Sequence, residues 1–536
     1  MSASDSGFML VPHGYCVRGR LQLWVGAHCE ELPKRMWVRC TPQGAGPVSH
    51  CEAGCRDFPL QLEREAPSLR YTVLLLPVTP GCRYQASLWA LDEQGRAIEL
   101  ADAEFRARPR SLSDGFNVWY GSCFYGKADK GALAAAFDAL PQDCRPDVSF
   151  LGGDQVYLDT AVATAGWGFA PIPGLSIVKS LRLAALYAAE GKAELERIFA
   201  AEYRDNWQRG LHRVLRSGNH HFLAGDHEFW NDYPNPPGFF WGLAIASLRQ
   251  IWKSSAQALF DAYQLPEGNA SDQFAIGNEL EFFYLDTYLQ RERGNNARFT
   301  DDATLERACT WLRGLTCPGV LVLPMPLLTN WHWRKGGCFK ARLKNAFAAW
   351  LVKLGLGDHS LADTAQYEPL VQALHDCPQD ILILAGDVHY SRLTRMELNG
   401  KQVVEVVSTP LSCLPSAGSR PDTTVKTFPD RPVADIQAPV EYVKTGSYRK
   451  KLIGHMSDNN FTTLNFSRVE NGINVHVRCW NVNARNADGQ LTRDWELADV
   501  LLRRRSVAVT AAVAPVSATA GKPQREPETL TTEAQE

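Results

Sequence analysis

PDVSFLGGDQVYLD, residues 146–159, is the stretch on which the reading of the fold turns. Residues 147–152 form a short, largely apolar run between a proline and a glycine pair, as a parallel strand buried on both faces does. Asp154, Tyr157 and Asp159 follow it. Ligands of α/β sheets bind just past the carboxyl ends of strands. An aspartate there is thus a site candidate, although aspartate is also an ordinary turn residue.

Three further segments end in a related way. NVWYGSC (117–123) closes on Cys123, HHFLAGDHE (220–228) on Asp226-His227-Glu228, and ILILAGDVH (381–389) on Asp387-Val388-His389. A glycine directly precedes the acid in three of the four (Gly153, Gly225, Gly386). Glycine permits the tight backbone exit that turns a side chain back over a sheet edge. If the strands are parallel neighbours, their ends meet on one rim.

Between them, KGALAAAFDAL (130–140), residues 176–217, 239–264, 305–315, 339–355 and 363–376 read as helices, with a break at Gly191. Residues 160–175 read as a loop. GVLVLP (319–324) and ELEFFYLDT (279–287) are strands, and RLTRMELNGKQVVEVVS (392–408) and residues 460–481 are hairpins with Asn-Gly at the turn. Strand and helix alternate first and strands dominate later. The expected architecture is α/β (α+β): two mixed sheets covered outside by helices.

Residues 1–110 differ. LQLWVG (21–26), RMWVRC (35–40), RYTVLLLPV (70–78) and RYQASLWALD (83–92) are short, partly alternating runs separated by turn residues. They resemble a fibronectin type III or immunoglobulin-like β-sandwich, expected as a lid or packing module ahead of a catalytic domain over 112–505. Residues 506–536 lack periodicity and read as a disordered tail.

A formal charge of -3 gives no electrostatic footprint for nucleic acid. No apolar run is long enough to span a bilayer. The N-terminus, MSASDSGFMLVPHGYC, lacks a basic region followed by an apolar one, so the expected location is cytoplasmic. The 14 cysteines are diluted over 536 residues without a CxxC pair, which favours reduced, buried thiols over a disulfide framework or a Cys51/Cys55 metal site.

Cysteine, tyrosine, aspartates and histidine on one rim are metal ligands. Carboxylates take hard cations, imidazole takes transition metals, and thiolate or phenolate suits a more acidic metal. Without cations, clustered carboxylates repel and raise one another's pKa. Two metals roughly 3.5–4 Å apart hold a phosphate and activate a water.

The GSC strand end, GGDQVYLD, AGDHEFWNDY and LAGDVH resemble, in order and spacing, the alkaline phosphatase D (PhoD-like) branch of the calcineurin-like metallophosphoesterases. The resemblance covers about residues 112–500, and the preceding sandwich is also typical of that branch. It implies a metallophosphoesterase acting on a phosphate ester. Asp154 would bridge two metals. Cys123, Tyr157 and His389 would complete a ferric iron site, and Asp226 and Asp387 a calcium site, or magnesium or manganese. His227 would act on the phosphoryl group and leaving oxygen.

Asp159 and Glu228 are read as supporting or turn acids, His220 and His221 as structural, and His332 and His359 as solvated loop residues. The sequence departs from the branch at Gly225, where an acid is usual, and in the apolar segment GVLVLPMPLLTNW. The alternative is a non-catalytic scaffold with a structural metal site and a sandwich that mediates contacts.

Overall fold

The computed structural model describes residues 7–505 except 15–19, 30, 44–54, 163–188, 236–242, 244–245, 268, 295, 331–358, 413–424, 447 and 451–454. The expected loop 160–175 and helix 339–355 therefore lie largely or wholly outside the described residues, as do the 506–536 tail, His332 and Cys51.

Val148–Gly152 is a strand, buried along its whole length, at the middle of a ten-stranded sheet. It pairs in parallel with Phe116–Gly121 on one side and Asn219–Leu223 on the other. On the far side of Phe116–Gly121 the antiparallel strands Asn460–Val469, Gly472–Arg485 and Leu491–Arg503 complete that half of the sheet. A seven-stranded sheet faces it. Its parallel centre is Leu280–Tyr284, Gly319–Val322, Ile381–Ala385 and Lys401–Val407.

Val148–Gly152, Gly319–Val322 and Ile381–Ala385 are short runs rich in Val, Ile, Leu and Phe because each buries both faces. One face packs on the opposite sheet. There Phe150 lies beside Phe274 and Phe282 at ring distances of 6.3 and 6.1 Å. The other face packs on helices. Ala189–Asp205 and Ala246–Tyr263 cover the ten-stranded sheet, joined through Phe199 and Trp252. Asp302–Gly314 and Tyr367–Asp376 cover the other, where Trp311 meets Phe283. The layers run helix, sheet, sheet, helix, as the alternation of patterns predicts.

Two expectations change. The helix after residue 189 does not break at Gly191: it runs to Asp205 and widens into a π turn over Asn206–Gly210. One glycine within a helix costs only about 1 kcal/mol relative to alanine, which packing overrides. The four motif strands also do not share a sheet. Three are neighbours, while Ile381–Ala385 belongs to the facing sheet, so the ends meet across the gap between sheets.

The N-terminal strands form two sheets around a shared core that includes Leu10, Leu23, Val25, Val38, Ala86 and Leu88. Met36–Gln43, Arg56–Leu60, Arg83–Leu91 and Ala97–Arg106 make the outer one. Phe8–His13, Arg20–Ala27 and Leu69–Pro77 continue the ten-stranded sheet, because Phe8–His13 pairs in parallel with Asn219–Leu223 through His13 and His220. Backbone pairing as well as packing thus binds this layer to the central sheet. The described cysteines are free thiols apart from disulfide-bonded Cys82. No described helix is long and apolar enough to cross a membrane.

Candidate metal centre

Residues that follow three of the four strands adopt an unusual backbone. Cys123, Asp154, Asp387 and His389 have φ of 61°, 58°, 71° and 56°, in the left-handed region that side chains with a Cβ rarely enter. Such strain persists only where surrounding structure over-determines it, and it concentrates at functional sites. Here the bonds that impose it are visible. The Cys123 amide donates to the Gly153 carbonyl at 3.0 Å, and the Phe124 amide to the Asp154 carbonyl at 2.7 Å. The Asp387 amide donates to Ser122 Oγ at 3.2 Å. Asp387 and His389 lie in a turn beyond the strand that ends at Ala385, so strand alternation does not set their relative direction.

Two triplets of donors form around Asp154. Ligand atoms of Cys123, Asp154 and His389 lie within 4.8 Å of one another, and so do those of Asp154, Asp226 and His227. Asp154 belongs to both. The structure thus assembles five of the seven sequence-derived site residues directly. Tyr157 is fully buried beside them, its ring 4.2 Å from that of His227. Asp387 is outside both triplets, but its carbonyl accepts from Cys123 Sγ at 3.6 Å and its charge acts on Asp154 and Cys123.

The electrostatics match a cation site. Burial first, then the neighbouring Asp226, pushes the Asp154 carboxyl well above the carboxylate range. Burial, with Asp154 and Asp387 nearby, does the same to the Cys123 thiol. Burial holds the His389 imidazole down at about 4. A bound cation favours the ionised carboxyl, the thiolate and the neutral imidazole, so it reverses the first two shifts and acts in the same direction as the third. The donor set fits one softer metal beside Cys123 and His389 and a harder one beside Asp154 and Asp226.

Two acids left as supporting residues have definite tasks. The Glu228 carboxylate accepts from the backbone amides of Asp154, Gln155 and Gly225 at 2.8, 2.6 and 2.7 Å, which ties the second strand end to the third. Asp159 Oδ1 lies 2.9 Å from His227 Nδ1, while its carboxylate also accepts from the Thr160 and Asn231 amides. Burial opposes charge on His227, but Asp159, Asp226 and Asp154 outweigh it and raise the imidazole well above its ordinary value.

Gly225, the departure from the usual acid, has a steric cause: a Cβ there would run into the Asp154 carboxylate. Asn206, which sequence reasoning passed over, donates from Nδ2 to the Gln155 carbonyl at 2.8 Å from within the π turn. The segment after the 392–407 hairpin was also missed. There Ser412 donates its amide to the Cys123 carbonyl at 3.1 Å. Nothing in the local pattern of either segment marks it. His359, expected in solvent, is buried, and its carbonyl accepts from Arg291.

No family model matches the chain, and no curated protein matches it in sequence. Among solved structures, that of PhoD superposes over 92% of this chain and 92% of its own, with a TM-score of 0.56 and 13% identity. The fold is that of PhoD. A purple acid phosphatase from yellow lupin (Lupinus luteus) seeds is similar over 91% of this chain and 74% of its own, with a TM-score of 0.49 and 11% identity. The resemblance to the PhoD-like branch, drawn from four short motifs, thus recurs in the fold of the whole chain.

Proposed function

We propose that the protein is a metal-dependent phosphoesterase. The observation that carries the reading is the pair of donor triplets that share Asp154 at the meeting point of four strand ends. Cys123, Tyr157 and His389 would hold ferric iron with Asp154, since thiolate and phenolate suit a trivalent ion. Asp226 and Asp387 would hold calcium, or magnesium or manganese, with Asp154. When bound, such a pair supplies positive charge for the phosphoryl oxygens and lowers the pKa of an attacking water.

The chain's own residues supply the rest. The Asp159 carboxylate fixes a proton on His227 Nδ1, which leaves Nε2 to protonate the departing ester oxygen. Tyr157, its ring 4.2 Å from that of His227 and tilted by 31°, restricts the imidazole to that orientation. Glu228 keeps Asp154 and Gly225 in register, so the shared carboxylate does not drift between the two triplets. A phosphodiester is favoured weakly over a monoester, because the sequence shows no dense cluster of Arg and Lys for a terminal phosphate.

Purified protein is expected to contain bound metal and to hydrolyse a nitrophenyl phosphodiester or monoester. Asp154→Ala is expected to abolish both properties. Hydrolysis that survives this substitution would sink the assignment, and absence of turnover across several divalent ions would favour a non-catalytic scaffold. A visible absorption band from ferric thiolate and phenolate is expected; a colourless, active and fully metallated protein would argue against iron.

A further inference from the structure

A second group of buried donors lies at the amino ends of the same strands, away from the candidate metal centre. Gln22, His13, His220 and Ser149 stand in register across four adjacent strands of the ten-stranded sheet. Residues in register on neighbouring strands project to one face. His13 is 6% and His220 1% exposed, and both rings pack near Phe222, at 5.0 and 6.2 Å. A cavity of about 320 Å³ opens beside them, lined also by Gln22, Gln264, Glu267 and Asp272.

Buried polar atoms without a hydrogen bond are rare, and each calls for a cause. This one cavity gathers several. His13 Nε2, both ring nitrogens of His220 and Gln264 Oε1 are buried and make no hydrogen bond. The Leu215 backbone lies near the His220 ring, yet outside bonding geometry. His13 is more informative still. Its ring is bonded to the Tyr263 backbone, which places a proton on that nitrogen and a lone pair on Nε2. A histidine held through one nitrogen by a backbone carbonyl, with the other buried and unbonded beside a polar cavity, has the arrangement of a metal ligand.

We propose that His13 and His220 are ligands of a divalent transition-metal ion that staples the N-terminal strand to the central sheet. Two imidazoles select zinc, copper or nickel over calcium or magnesium. The Gln264 amide oxygen and water from the cavity offer the remaining positions; Asp272 and Glu267, the latter paired with Arg64, line the same cavity without joining the two imidazoles in a compact donor cluster. The position gives the ion a task. The parallel pairing between Phe8–His13 and Asn219–Leu223 rests on the His13–His220 register, with one added bond from the Gly14 amide to the His220 carbonyl at 2.8 Å. An ion shared by the two side chains would lock that short seam.

The test uses the full-length chain, stripped with chelator and reloaded with Zn²⁺. Zinc per chain is measured for wild type, His13→Phe and His220→Phe, and zinc-edge anomalous density is recorded from zinc-loaded wild-type crystals. Each variant is expected to bind one zinc fewer than wild type, and an anomalous peak is expected between the two imidazoles. Equal zinc content in folded variants, or ordinary water density without an anomalous peak at this position, would overturn the proposal. The crystal measurement stands even if a variant fails to fold. Both readouts concern a position apart from the phosphoesterase centre, so the absence of esterase activity would not alter their meaning.

Discussion

At the scale of single residues, charge placed next to charge governs the candidate centre. Asp159 lies against His227 and is itself held by two backbone amides. Burial raises its carboxyl, but the His227 charge and these bonds outweigh burial and hold it below the usual range. Asp159→Asn keeps the shape and removes the charge that orients the imidazole. It is expected to lower kcat about 10²-fold with KM changed less than about three-fold, in steady-state hydrolysis of a nitrophenyl phosphodiester. A rise in KM with kcat intact would place Asp159 in substrate binding instead. The sequence made Asp154, Asp226, His227 and His389 legible because each follows a short apolar strand. It left Asp159 and Glu228 undefined, since their partners lie 68 and 74 residues away.

At the scale of elements, the strands and tight turns follow from local pattern, and the loops behind them do not. Asn399 and Gly400, at φ of 50° and 74°, form the turn that Asn-Gly between alternating runs predicts. The apolar segment after Gly319–Val322 looked out of place beside a polar site. It is buried, with Leu327 and Leu328 almost fully enclosed. Their amides donate to Glu405 Oε1 at 2.8 and 2.9 Å, while Glu405 Oε2 pairs with Arg392 at 2.6 Å. Glu405→Ala would leave a buried guanidinium unpaired and two amides unmet. A loss of about 3–5 kcal/mol is expected in urea unfolding. A change below about 1 kcal/mol would show that this pair does not anchor the segment.

At the scale of the whole molecule, the N-terminal layer and the helical cover meet at His28. Its Nδ1 donates to the Ser68 carbonyl at 2.8 Å, and Tyr263 Oη donates to its Nε2 at 2.9 Å. Burial, only partly offset by the Ser68 bond, holds this imidazole down at about 4. The unfolded chain protonates its histidine near pH 6.5, so it binds the proton before the folded protein does. His28 therefore leaves stability unaffected above about pH 6.5 and subtracts from it as pH falls toward 4, by at most about 3 kcal/mol. Denaturant unfolding across that window is expected to fall less steeply for His28→Gln than for wild type. Parallel pH profiles for the two proteins would remove His28 from the account.

The class of layers, the four strand ends and the kinds of donor they carry are legible in the chain alone, because they depend on local periodicity and on glycine at sharp exits. Which strands share a sheet, the approach of the fourth motif from the facing sheet, and the extension of the central sheet by the N-terminal strands emerge in the folded molecule. Those outcomes rest on pairings between residues hundreds of positions apart, such as His13 with His220. Backbone strain at Cys123, Asp154, Asp387 and His389 belongs to the same class: the bonds that enforce it come from distant segments, and no local pattern announces it.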